Sequence, residues 1–529
     1  MSSQFSMKSY MKGALLLTVA ALIVKVLSAV YRVPFQNLVG DQGFYVYQQV
    51  YPFISFFVVW TSGGVAVAIS KMLADTNEEE IKQSITKVIF QYLTVLSLLF
   101  FALLFFGAHM LSSWMGDPLL APLLKTGAFI TLCMPALAIM KGTFQSRGMM
   151  EPVAYAQVFE QAIRVSIILI GTIIVMTTLS QSVYAAGNMA VLGTVIGELA
   201  GVILLFVYMK KKGILCKGSI TISKWPIIKE VTIFSITVSM SSLLLLAYQL
   251  VDSFTVFSML VDLGMPTLEA METKGIYDRG QPLVQLGIVI ASSFSLAIVP
   301  LVAHKSKKGT RDEVPYIQLT YRASLLFGLA ASLGLVLVMP YANTLLFKTD
   351  ALSPVLMLYV LQIIWLSIIL TFTSILQGYG KLKVPAYFLL GALTLKIAGN
   401  LLLIPLFGIL GVAIASNIGL CICALLLMYY LKKLKNIQLA TGSFYRKLFL
   451  ASMSMVVVVV LAAMLLNSVT DFSSMRMQAV VYSAVLILLG AFTFITVTAK
   501  LRILSAREWF IIPFGRKMAT YQLWLNKKK

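Results

Sequence analysis

Lys25, Arg32, Arg164 and Lys396 are cations set inside apolar stretches, and Glu160, Glu198 and Asp252 are acids set the same way. A charge at the centre of a bilayer costs about 2.5 to 3.5 kcal/mol on insertion scales, so each of these groups needs a cavity, a partner or a short route to water. Lys25 and Arg32 stand seven residues apart in ALIVKVLSAVYRVPF, which is two helical turns, or about 10 Å along one face. Two cations on one face repel unless an anion lies between them, so they form a candidate anion site. Arg32 is nearer the outer end, where snorkelling to the interface is the plainer alternative.

Glu160 precedes Arg164 by four residues, the spacing of a helical ion pair. Such a pair either neutralises itself inside the bundle or lets Glu160 turn Arg164 toward a cavity. Lys396 has no acid within a turn of its own sequence, only Asn400 at i+4 and Thr394 nearby, and is therefore harder to explain by local packing. Glu198, among the glycines of GTVIGELAG, is a candidate partner for one of the cations or a coupling-ion site. Asp252, in AYQLVDSF, falls near the outer end of its segment and is a supporting candidate, with a simple boundary role as the alternative.

The remaining chemistry is sparse. Cys133, Cys216, Cys421 and Cys423 fall mostly in apolar segments, and neither His109 nor His304 stands at metal-ligand spacing to them. The sequence has no HExxH, no Walker A run and no paired-carboxylate motif in a basic loop, so it does not read as an enzyme. No metal and no cofactor is implied. A coupling ion or the membrane potential is the candidate energy source.

The elements that must hold these residues are membrane spans. The chain has 529 residues, of which 59% are hydrophobic and only 12% charged, and a mean hydropathy of +0.91. Those values exclude a soluble domain of ordinary surface chemistry. At roughly 20 apolar residues per span, the sequence predicts about fourteen transmembrane helices. They are centred near residues 13–38, 46–70, 88–110, 121–145, 153–179, 184–208, 228–252, 282–303, 317–340, 353–378, 385–404, 408–431, 448–467 and 478–498.

The formal charge of +22 is carried largely by short clusters between these segments, such as Lys210 to Lys212, Lys305 to Arg311 and Lys432 to Lys435. Lysines and arginines on one side of the membrane mark the cytoplasmic side, which places both termini there, with anionic lipids rather than nucleic acid as the partner of the basic surface. MSSQFSMKSYMKG leads into an apolar run too long for a signal-peptide core and reads as a retained first helix. The stretch from about Ser253 to Gln281, acidic and containing Gly and Pro, reads as an outer surface excursion.

FQSRGMMEPVAYAQVFEQAIR, from Phe144, has an echo in LQGYGKLKVPAYFLLGALTLK, from Leu376. Gln145 and Gln377 are 232 apart (377 − 145), and so are Arg164 and Lys396 (396 − 164). Each copy reads as the end of one segment, a basic turn with proline, and a second segment carrying a cation. The echo divides the chain into an N-terminal six-helix lobe (1–212), a C-terminal six-helix lobe (213–435) and two additional helices with a basic tail (436–529). With six spans each, both lobes enter from the same side, as parallel repeats.

KVLSAVYRVPFQNLVGDQGFYVYQQVYP, SGGVAVAISKMLAD, GTFQSRGMMEPVAYAQVFEQAIRV and ILQGYGKLKVPAYFLLGALTLKIAGNLLLIPLFGILGVAIASNIG together resemble a known family. It is the polysaccharide-biosynthesis and stage V sporulation protein B branch of the multidrug/oligosaccharidyl-lipid/polysaccharide exporter superfamily, which also contains the lipid II flippases. The resemblance extends to about Lys433. It implies an all-α, V-shaped fold of two six-helix lobes around a cavity, with two extra helices lining a groove for a polyprenyl tail. It also implies that Lys25 and Arg32, which match the basic positions of the family's first helix, meet a substrate diphosphate. The family's cation in the eighth helix has no match, since QPLVQLGIVIASSFSLAIVPLVA is uncharged.

The expected function is outward movement of a polyprenyl-diphosphate-linked saccharide across a bacterial cytoplasmic membrane, with Lys25, Arg32, Arg164 and Lys396 holding the diphosphate. Glu160, Glu198, Asn400 and Asp252 stand in support. Cell-wall synthesis proteins are candidate partners. The rivals are a cation-coupled multidrug exporter of the same superfamily, which calls for an acidic or aromatic cavity, and a scaffold for wall synthesis that transports nothing.

Overall fold

The computed structural model describes residues 7–214, 222–289, 313–469, 475–512 and 515–527. Among them there is no strand, and twelve helical stretches are long and apolar enough to cross a membrane. The chain is an all-α polytopic membrane protein. One of the twelve, Val19–Ala74, covers the first two segments expected from sequence, and most of the eighth, 282–303, lies outside the described residues.

In chain order the first helices are α1 (Met7–Val30), α2 (Arg32–Val59), α3 (Ala66–Ala74), α4 (Glu79–Phe106), α5 (Ala108–Trp114), α6 (Ala121–Ser146), α7 (Met150–Ile173) and α8 (Val183–Lys211). Then come α9 (Lys224–Asp262), α10 (Thr267–Asp278), α11 (Gly280–Gly287), α12 (Val314–Phe347), α13 (Ser353–Val360) and α14 (Gln362–Gly378). The chain closes with α15 (Lys383–Phe407), α16 (Ile409–Lys435), α17 (Gly442–Val469), α18 (Arg476–Lys500), α19 (Ala506–Ile511) and α20 (Gly515–Leu525). Between α2 and α3 the turns widen over Trp60–Val65, where the Ala66 N–H reaches back five residues to the Thr61 carbonyl.

The helices gather into two compact units, one of Met1–Asp278 with Lys396–Val412, the other of Arg279–Leu395 with Ala413–Lys529. In the first, α6 lies between α3, α4 and α8, while α7 packs along α8 and α1. Its cores are apolar side chains at helical spacing, with Ile69, Ile89, Leu93 and Ala138 in one and Leu137, Phe144, Val153 and Leu205 in another. In the second unit, α12 packs against α14, α17 and α18, around Ala323, Leu326, Leu448, Ala451 and Leu486. The short α19 begins at a capping box formed by Ser505 and Glu508, and Glu508 is also the ion-pair partner of Arg322 on α12.

The stretch expected to be an outer excursion is not one. α9 continues as helix to Asp262, and α10 buries Ala270, Met271 and the run Lys274 to Asp278. α10 packs against α2, and a Cβ on Gly275 would run into the Asp41 carbonyl oxygen. Counting charges placed this segment at the surface. Its small residues, Ala270 and Gly275, instead let the backbone approach α2 closely and carry the neighbouring charges inward.

The sequence echo has a structural counterpart at its turn. α6 ends with Gly148 at φ +69°, its N–H on the Gln145 carbonyl and the Met149 N–H on the Phe144 carbonyl. α14 ends with Gly380 at φ +71°, its N–H on the Gln377 carbonyl and the Lys381 N–H on the Leu376 carbonyl. Both are Schellman caps, in which a left-handed residue satisfies the last helical carbonyls. The residue before each glycine ties the turn to the start of another helix: Arg147 pairs with Glu79 at the head of α4, and Tyr379 donates to Glu313, just before α12, at 3.0 Å. An added Cβ at Gly380 would meet nothing within 4 Å. Gly380→Ala should therefore act through backbone strain alone and lower stability by about 1 to 2 kcal/mol, with Gly380→Asn recovering part of the loss. Thermal unfolding of the purified variants in detergent checks this.

Candidate functional site

Every proposed site residue lies in the first unit. Lys25, on α1, is exposed, whereas Arg32, at the start of α2, is fully buried, so these two cations do not share an environment. The Arg32 guanidinium stands 4.4 Å from the centre of the Tyr51 ring and 6.0 Å from that of Tyr31. Tyr31 and Tyr47 join hydroxyl to hydroxyl at 2.7 Å. A planar, weakly hydrated guanidinium suits this aromatic setting better than an ammonium would.

Arg164, on α7, is buried and within electrostatic reach of the same three tyrosines and of Glu198. The expected Glu160–Arg164 pair does not form. Glu160 instead takes the ammonium of Lys141 at 3.4 Å, and Lys141 also donates to the Ser62 hydroxyl at 2.8 Å. The cause is packing: α6 delivers Lys141 to Glu160, while Arg164, one turn further along α7, turns to the tyrosines of α2. Glu198, on α8, comes within electrostatic reach of Glu160, Lys141 and Arg164, and its Oε1 has no hydrogen-bond partner. Its placement depends on small residues, since a Cβ at Gly197 would come 2.9 Å from the Arg164 Cβ and one at Gly201 would come 3.1 Å from Glu160 Oε2.

Lys396, Asn400 and Asp252 are brought together. Lys396 is fully buried, its Nζ 2.7 Å from Asp252 Oδ1 and donating to the Val412 carbonyl at 3.3 Å. Asn400, one turn along α15, donates to the same Asp252 Oδ1 at 2.8 Å and to the Thr255 hydroxyl at 2.8 Å. The counter-charge of Lys396 thus comes from α9, 144 residues earlier in the chain (396 − 252), and not from its own helix.

Further buried charges escaped the sequence reading, Lys141 among them. Lys274 and Asp278, on successive turns of α10, meet at 2.6 and 2.7 Å. Burial pushes the Asp278 carboxyl above its ordinary range, and the adjoining ammonium pulls it back. Both lie within reach of Lys396, and Asp278 is within reach of Arg32. Their i,i+4 spacing on a stretch with Met271, Ile276 and Tyr277 was the available signal; Lys141, in AIMKGTFQS, gave only its own position near a segment end.

The linked groups are therefore Arg32, Lys141, Arg164, Lys274 and Lys396 against Glu160, Glu198, Asp252 and Asp278. Five of these are basic and four acidic by type, and Asp117, also buried in this unit, is a fifth acid that accepts from the Tyr45 and Tyr184 hydroxyls at 3.3 and 2.8 Å. The guanidinium groups can hold an anion, and the tyrosines can stack on a ring or donate hydrogen bonds.

A family model described as "Polysaccharide biosynthesis protein" matches residues 10–306, more than half of the chain. The chain belongs to that family. The match agrees with the resemblance to the polysaccharide-biosynthesis and stage V sporulation protein B branch of the multidrug/oligosaccharidyl-lipid/polysaccharide exporter superfamily. The chain is similar to the uncharacterized membrane protein YabM of Bacillus subtilis (strain 168), with 34% identity over 515 residues, 96% of each chain. It is also similar to the lipid II flippase MurJ of the same organism, with 22% identity over 438 residues, 77% of this chain and 80% of that one. Among solved structures, a lipid II flippase MurJ in an inward closed conformation shares the fold at a TM-score of 0.71 and 17% identity, covering 92% of this chain and 99% of the other.

Removing one member of a buried ion pair strands the other, at a cost of about 3 to 5 kcal/mol. Lys141→Met should therefore destabilise the protein by that order, and Lys141→Met with Glu160→Gln should restore much of it. Thermal unfolding of the two variants side by side makes the comparison.

Proposed function

We propose that the protein is a transporter, a flippase that moves a polyprenyl-diphosphate-linked saccharide such as lipid II from the inner to the outer leaflet of a bacterial cytoplasmic membrane by alternating access. The observation that supports this reading is the set of buried basic groups in the first unit, with Arg32 and Arg164 set among tyrosines. A diphosphate leaving water loses its hydration, and fixed cations inside the protein replace part of it. Arg32 and Arg164 offer planar donors that stay charged at any physiological pH, while Lys25 offers an exposed ammonium on α1. The polyprenyl tail can remain in hydrocarbon while only the head group crosses.

A multidrug exporter for organic cations calls for an excess of acid. Glu160 and Asp252 each have an ammonium within 4 Å, so the two acids offer a cationic drug little uncompensated charge. Relatives named as transporters support transport over catalysis. We further read the chain as two six-helix lobes with two appended helices, and place both termini in the cytoplasm because the basic clusters lie on that side.

Depletion of the protein should cause one lipid-linked precursor to accumulate in the inner leaflet, and extraction with leaflet-selective labelling identifies which. Lys25→Ala should insert at normal levels and lose transport by tenfold or more, and Lys396→Ala should lose transport to the same degree once the stability lost by stranding Asp252 is allowed for. Full transport by both variants would remove the proposed role of these cations.

A further inference from the structure

We propose that Asp252 and Asp278 are built-in competitors for the substrate's phosphates, occupying Lys396 and Lys274 when the carrier is empty and yielding them when the diphosphate arrives. The inference rests on the flippase reading above. Lys396 is fully buried with Asp252 at 2.7 Å, so no phosphate reaches its ammonium unless that contact opens. The carboxylate does not depend on the ammonium for its position. Asn400 donates to the same Oδ1 at 2.8 Å and is itself held by the Thr255 hydroxyl, so Asp252 stays in place when Lys396 turns away.

The lysine stem, with four carbons and rotatable bonds throughout, lets an ammonium exchange one acceptor for another. Arg32, stacked over Tyr51, has no such freedom. Lys274 and Asp278 repeat the arrangement, joined at 2.6 and 2.7 Å on consecutive turns of one helix.

An exchange of this kind replaces one charge-assisted contact with another of similar strength. Binding is then weak enough to reverse. Without the carboxylates, two buried ammonium groups would have no anion in the empty carrier and would hold a diphosphate too firmly for release.

The test uses the full-length protein in lipid nanodiscs, with undecaprenyl diphosphate as the probe and undecaprenol as the uncharged control. Affinity and dissociation rate are measured for wild type, Asp252→Asn, Asp278→Asn and Lys396→Ala, each first checked for cooperative unfolding. Tighter binding by fivefold or more with slower release, in either folded aspartate variant, supports the exchange. Unchanged or weaker binding in every aspartate variant that folds overturns it. Should Lys396→Ala and wild type bind undecaprenyl diphosphate equally, the assignment of Lys396 to the substrate fails as well, and the two failures are thereby told apart.

Discussion

A charge inside an apolar bundle must find its opposite within a few ångströms, and in this protein that requirement decides which helices touch. Lys396 meets Asp252 across α15 and α9, and Lys141 meets Glu160 across α6 and α7. Both contacts join helices that hydrophobic packing alone would allow to slide. Lipid is as apolar as a leucine side chain, so burial gives little preference for one helix register over another, and polar contacts and close packing of small residues set it instead. Asp252 and Asn400 belong with this view, since one fixes the other and both fix the part of α15 from Lys396 onward against α9. The charges are the means by which the first unit is assembled, as well as the groups we propose for the substrate.

The sequence carried the spans and the two matching turns clearly, because each depends on local properties of the chain. Hydropathy is summed over one segment, and a Schellman cap needs only six residues, so the turns at Gly148 and Gly380 are readable from FQSRG and LQGYG. Charge partners were less legible for a physical reason. The local rule for Glu160 and Arg164 considers one helix in isolation, but Glu160 had the choice of a cation on α6 that no spacing within α7 reveals. Lys396 looked short of a counter-charge for the same reason. α10 was misplaced because its charges were weighed without its small residues, and Gly275 against Asp41 outweighs them.

Where the repeat breaks is as informative as where it holds. Arg164 and Lys396 occupy matching positions, 232 residues apart, yet Lys396 has a carboxylate in direct contact and the Tyr248 ring at 5.8 Å, whereas Arg164 lies within electrostatic reach of three tyrosines and Glu198. The two environments suit the two side chains. A guanidinium spreads its charge over a plane that aromatic rings cover well, whereas an ammonium concentrates charge at one point and needs an anion there. Exchanging the two residues would leave a bulky guanidinium where Asn400 and Val412 already crowd a compact ammonium, and a point charge against ring faces. The two stretches place a cation at matching positions, and the surroundings of each are its own.

This asymmetry bears on how a carrier can both bind and release an anion. A site made only of arginines held by tyrosines would present constant positive charge, and nothing inside it would compete with a bound diphosphate. A site made only of lysines paired with acids would be neutral when empty and would draw in anions poorly. The first unit has both kinds, with Arg32 and Arg164 on the aromatic side and Lys396 and Lys274 on the carboxylate side. In the flippase we propose, permanent charge would attract the head group and paired charge would set how firmly it is kept. Because Asp278 is within reach of Arg32 as well as of Lys396, the two kinds act on each other, so loosening an aspartate alters the field at the arginine.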